Sequence, residues 1–86
     1  KSPAGQLYVP LKENGFHPER DWPMREGATT YQVDLALPIG PDEWLPILFT
    51  STEAAAPTTA ICFEPTLPID DCITVIQKKL EERKRR

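Results

Sequence analysis

The sequence predicts a single small α+β domain over residues 1–86. Its core would be a three- to four-stranded, mostly antiparallel sheet packed by a C-terminal helix. Three observations lead there. Thr29 to Leu37 alternates apolar and polar residues with period two, as a half-buried strand does. Residues 69–84 place Cys72, Ile73, Ile76 and Leu80 on one helical stripe. Ten prolines and four glycines punctuate the rest, which disfavours any long helix before residue 69.

Residues 2–14 fit two readings. Ser2-Pro3 is an N-cap followed by proline at the first helical position, Leu7 and Leu11 lie four apart, and Gly15 would stop the helix. Against a helix, Leu7-Tyr8-Val9 is β-prone and Pro10 would interrupt the ladder. Either an N-terminal helix or a strand follows.

Residues 16–28, with His17-Pro18, Trp22-Pro23 and Gly27, read as a loop holding a short extended piece around Asp21 to Arg25. Trp22 would lie as a lid over a small core. In the strand Thr29 to Leu37, Tyr31, Val33, Leu35 and Leu37 form one face, and Gln32, Asp34 and Ala36 the other. Pro38 to Asp42 is the turn. Trp44 to Thr50 is a second strand, apolar on both faces and therefore buried. Pro46 lacks a donor, so that part belongs at an edge or a bulge. Ser51 to Ala56 forms one helical turn ended by Pro57, and Thr58 to Phe63 is a third strand. Asp70 or Asp71 caps the closing helix, whose basic end runs from 78 to 86.

Charge is unevenly spread. No Lys or Arg lies between Glu26 and Gln77, while residues 78–86 hold six of the ten basic residues. The net charge of −3 argues against a body that binds nucleic acid through its phosphates. The basic end remains a candidate anion contact through Lys78, Lys79, Arg83, Arg85 and Arg86, although such an end also simply complements the helix dipole. No apolar run approaches the roughly 18 residues of a membrane span. The residues from Lys1 onward show no charged-then-apolar leader, so no signal peptide is expected among them, and the missing initiator Met is what a trimmed chain, an excised domain or an incomplete chain would show. Cys62 and Cys72 are expected to be buried free thiols in a cytoplasmic protein.

No enzyme's residue set is evident, so no catalytic, metal-binding or cofactor-binding residue is assigned. His17 is the only histidine, and nothing local ties it to Ser51, the most tempting hydroxyl. Asp42 and Glu43 sit in a solvated turn. Two cysteines and one distant histidine cannot complete a four-ligand zinc site. Four dispersed glycines make no phosphate cradle. Asp34 is the one polar strand site of interest. A metal-dependent nuclease would need an acid and a lysine on the next strand, and Trp44 to Thr50 has neither. Tyr8, Phe16, Trp22 and Trp44 are large rings in number for so small a core. They either pack inside or form a patch for a protein partner or for self-association.

The segment Trp44-Leu45-Pro46-Ile47-Leu48-Phe49-Thr50-Ser51-Thr52-Glu53-Ala54 resembles the "LP-x-FTS-x-EA" signature of SseB-like (enhanced serine sensitivity) domains, with one extra residue before Phe49. Leu7-Tyr8-Val9-Pro10-Leu11 is similar to that family's early strand, and Ala60 to Leu80 to its closing strand and helix. The family's middle helix has no counterpart. This resemblance implies a small α+β domain with an interaction role rather than catalysis. Ser2-Pro3-Ala4, Leu7, Leu11, Gly15-Phe16 and Val33-Asp34-Leu35 also resemble the opening of Vsr-like nuclease folds. There Gly5 stands where an early Glu is expected and the second-strand acid is absent, which implies a dead site. Tyr31 to Leu35 is similar to a double-stranded-RNA-binding fold, whose second-helix lysines are replaced by Thr52-Glu53-Ala54-Ala55. The reading that follows is a non-enzymatic interaction or assembly module. Its alternative is a nucleic-acid-associated or dead nuclease-like module working through the basic end.

Overall fold

A computed structural model describes residues 2–52 and 56–84. The elements run α1 (Pro3–Glu13), β1 (Glu19–Glu26), β2 (Thr29–Gly40), β3 (Glu43–Phe49), β4 (Ile61–Phe63) and α2 (Ile69–Lys84). The sheet order is β1-β2-β3-β4, with the first three strands antiparallel and β4 parallel to β3. This is the α+β class expected, with both an N-terminal and a C-terminal helix.

Local chemistry settles residues 2–14 as helix. Ser2 Oγ accepts the Gly5 N–H at 3.2 Å, and Pro3 opens the first turn. Pro10 sits inside α1 and forgoes one ladder bond, a cost set against the full burial of Leu7 and Leu11. Gly15 then adopts φ +88°. Its N–H bonds the Lys12 carbonyl at 3.1 Å and the Phe16 N–H bonds the Leu11 carbonyl at 3.0 Å, the two bonds of a Schellman stop. That stop packs the Phe16 ring against the core cluster containing Leu11.

Residues 19–26 are a full strand rather than a loop with a short extended piece. β1 is an edge strand, so Pro23 and the exposed charges of Glu19, Arg20, Asp21 and Arg25 are compatible with it and hide its periodicity. β2 likewise outruns its expected end, since a bulge between Pro38 and Gly40 carries pairing to Glu43. Only Pro41 and Asp42 then make the turn, with Asp42 at φ +55°. β4 is shorter than expected, because Thr58-Thr59 form a turn before Ile61. β4 pairs only with Ile47 to Phe49, so at Pro46 the inner strand β3 has one paired neighbour, β2. Ser51 and Thr52 are not helical, and the rest of the helical turn expected there, residues 53–55, lies outside the described residues. Asp70 and Asp71 sit inside the first turn of α2 instead of capping it. The Asp71 and Cys72 N–H groups bond the Pro68 carbonyl.

Two apolar clusters result. In the first, Leu7 and Leu11 of α1 and Cys72 and Ile76 of α2 meet Leu35, Leu37, Leu45, Ile47 and Phe63 of the sheet. In the second, Val33, Ala36, Leu48 and Ala56 pack with Trp22, Met24, Tyr31 and Trp44, and no helix residue takes part. Both helices therefore share one face of the sheet. The single apolar face expected for β2 is corrected here. Val33 and Tyr31 pack on the opposite side from Leu35 and Leu37. The β1–β2 ladder steps from Arg20–Leu35 to Trp22–Val33, past Asp21 at φ +50°, and the side chains change sides across that step.

Gly15→Ala should lower stability by about 1 kcal/mol, because alanine resists the left-handed conformation. A Cβ there would meet nothing within 4 Å, so no steric clash contributes. Urea denaturation checks this, and an unchanged midpoint would contradict the Schellman stop as a stabilising feature.

Candidate functional site: two surfaces

The candidate rings separate into three places. Trp22 and Trp44 come together across β2 on the helix-free face, with ring centroids 4.5 Å apart and planes tilted by 31°. The side change at Asp21 lets β1 contribute Trp22 to this face. β3 delivers Trp44 from beside the β2–β3 turn. Both rings are half-buried, as are Met24 and Tyr31 beside them. The segment after β3 crosses part of this face. Ala56 and Pro57 are buried, and the Glu26 carboxylate accepts the Thr58 N–H at 3.0 Å and the Thr58 hydroxyl at 2.6 Å. Glu26 thereby fastens the crossover to the far end of β1.

Phe16 lies elsewhere, in an open groove of about 830 Å³ between the end of β2 and the last turns of α2. Pro38, Ile39 and Leu80 complete its apolar lining, and Lys78 and Arg83 reach its rim. Lys79 instead lines a neighbouring cleft with Trp44 and Met24. Arg83 Nη2 is 2.9 Å from Glu43 Oε1, an exposed ion pair worth at most about 1 kcal/mol that ties α2 to the β2–β3 turn. Arg85 and Arg86 lie outside the described residues. Tyr8 stands apart on α1, with Lys12 Nζ 5.3 Å and the Arg20 guanidinium 6.0 Å from its ring. Leu80, Ile39 and Lys84 of the groove escape a linear reading, since three distant segments build it. The usable signal was the position of Phe16 just after a glycine helix stop.

Asp34 is half-buried, and its carboxylate accepts the Phe49 N–H at 2.9 Å. It thus extends the β2–β3 pairing beyond the last backbone pair, Leu35–Ile47. His17 and Ser51 are both exposed, and no hydrogen bond joins them among the described residues. No three His, Cys, Asp or Glu side chains gather as a metal would require among the described residues. No described helix is long and apolar enough to cross a membrane. Cys72 is a fully buried free thiol, whereas Cys62 is half-buried, packed against the second cluster. Burial pushes the Cys72 thiol up, and the Asp71 carboxylate adds to the shift. No family model, curated protein or solved structure matches the chain.

Asp34→Ala should cost about 1–3 kcal/mol by orphaning the Phe49 N–H, and Asp34→Asn less, since an amide oxygen can still accept. Thermal melts of the two variants check this, and equal losses would exclude the hydrogen bond as the cause. The raised Cys72 pKa sets a second expectation. Above the ordinary thiol value of 9.0, the unfolded chain gives up this proton while the folded chain keeps it. Stability should therefore fall as pH rises past that value, and the fall should be shallower in Cys72→Ala. Urea midpoints measured across that range provide the test.

Proposed function

We propose that the domain is a non-enzymatic interaction module that pairs with a second copy of itself through the helix-free face of its sheet. The Trp22–Trp44 stack supports this most directly. Two indole rings in contact with each other, and only half-buried, are large anchors left partly in water. Around them Met24, Tyr31 and Cys62 are also half-buried. At one margin of this cluster Thr58 engages Glu26, and at the other Lys79, Asp42, Glu43 and Glu82 line the cleft shared with Trp44 and Met24. The ring cluster is apolar, so it can meet its own copy across a two-fold axis with those charges at the rim. The molecule is a slab of 34 × 32 × 18 Å, and its broad side has room for the roughly 800 Å² per partner of a standard interface.

An interaction role is also what the SseB-like resemblance implies. The free thiol of Cys72 fits a reducing compartment, and we assign the module to the cytoplasm. The rival, a nucleic-acid-associated module using the basic end, is disfavoured by the Glu43 carboxylate that occupies Arg83.

Light scattering across a concentration series should give a dimer mass. Met24→Glu, which places a charge on this face from an edge strand, should weaken dimerisation about tenfold or more, with circular dichroism confirming that the variant is folded. A monomer at every concentration would overturn the pairing. A metal-dependent nuclease or hydrolase activity lost in Asp34→Ala would overturn the non-enzymatic reading.

A further inference from the structure

The groove beside α2 combines two features that neither the helix nor the sheet carries alone. Its floor is apolar, made by Phe16, Pro38, Ile39 and Leu80. Its rim sets Lys78, Arg83 and Lys84 against one carboxylate, Glu81. We propose that this groove binds an acidic amphipathic segment of another protein, in which large apolar side chains are flanked by Asp and Glu. The groove adjoins the cleft beside Trp44, sharing Ile39 and Arg83 with it, but neither Trp22 nor Trp44 lines the groove.

Charge complementarity and shape select this occupant. Lys78 and Lys84 are exposed, and neither has an ion-pair partner among the described residues. They lie in the C-terminal half of α2, where the helix dipole adds no positive potential, so the local field comes from the side chains themselves. Carboxylates on a ligand would complement them, most strongly at low salt. The floor then discriminates among anions. Phe16, Ile39 and Leu80 are half-buried rings and chains that a phosphate backbone would leave wet, whereas a Leu or Phe side chain would cover them. A volume of about 830 Å³ lies within the usual range for ligand sites and has room for more than one such side chain. The groove is also held in shape. The Schellman stop places Phe16, and the Arg83–Glu43 pair links α2 to the β2–β3 turn.

The probe is a fluorescein-labelled peptide with a central Phe-Leu pair between runs of Asp and Glu, followed by fluorescence anisotropy. Binding should saturate and weaken as salt rises. The charge-reversed variant K78E/K84E, at two exposed positions, should weaken it at least tenfold. Leu80→Ala should weaken it by a similar factor, with circular dichroism confirming that the variant is folded. A control peptide with Phe-Leu replaced by Ser-Ser should bind at least tenfold more weakly. Equal binding of that control, or a DNA duplex that binds more tightly than the Phe-Leu peptide, would overturn the proposal in favour of a simple anion contact. No binding of the Phe-Leu peptide would also overturn it. Met24→Glu should leave peptide binding unchanged, which separates this site from the self-pairing face. Loss of self-association in K78E/K84E would reassign the groove to a second copy of the chain.

Discussion

Leu7, Leu11, Cys72 and Ile76 all reach the same side of the sheet, and this one-sided layer governs the rest of the molecule. Among the described residues two helices are available for burial. Both lie against Leu35, Leu37, Leu45 and Ile47, so that face is dry and its residues are almost wholly buried. The opposite face must be closed by other means. The crossover between β3 and β4 closes part of it with Ala56 and Pro57, held by the Glu26–Thr58 hydrogen bonds. What that segment does not cover is left to Trp22 and Trp44. Their mutual contact reduces the apolar area facing water but does not remove it.

The same economy explains why association is assigned to a face and not to an edge. β1 is one edge of the sheet, and it carries Glu19, Arg20, Asp21, Pro23 and Arg25, the residue types that discourage a further strand from pairing. The other edge, β4, is only three residues long. Neither offers the flat, apolar, hydrogen-bonding ribbon that strand addition needs.

Much of this was legible along the chain, because it is written in local terms. The Ser2-Pro3 cap, the Gly15 stop, the alternation in β2 and the stripe of α2 all depend on residues within a few positions of one another. Three features were not legible, each for a physical reason. β1 is masked because an edge strand is defended with charge and proline, which are also the marks of a loop. The side change between Leu35 and Val33, at the step where Asp21 of the partner strand takes φ +50°, puts Val33 and Tyr31 away from the face that strict period two assigns them. The role of Asp34 depends on the Phe49 N–H, fifteen residues away in sequence, so a polar position on a good strand looked like a chemical site when it extends a ladder. The candidate surfaces were legible only as residue types. The rings and cations could be named, but their partition into a Trp22–Trp44 face, a Phe16 groove and an isolated Tyr8 belongs to the fold.

That partition changes the meaning of the basic end of α2. Read along the chain, Lys78 to Arg86 is a run of cations in an otherwise acidic protein, and a run of cations points to phosphates. In three dimensions the run divides. Arg83 answers Glu43, Lys79 turns to the cleft beneath Trp44, and Lys78 and Lys84 flank the apolar floor set by Phe16 and Leu80. Contact with a nucleic-acid backbone is favoured by cations that act together over a polar surface, because each neutralised phosphate releases its counterion independently of what lies between. Here an apolar floor lies between them, and it stays exposed unless a side chain of matching character enters. The arrangement therefore favours a ligand that is acidic at its margins and greasy at its centre, a combination that polypeptides offer and phosphate backbones do not.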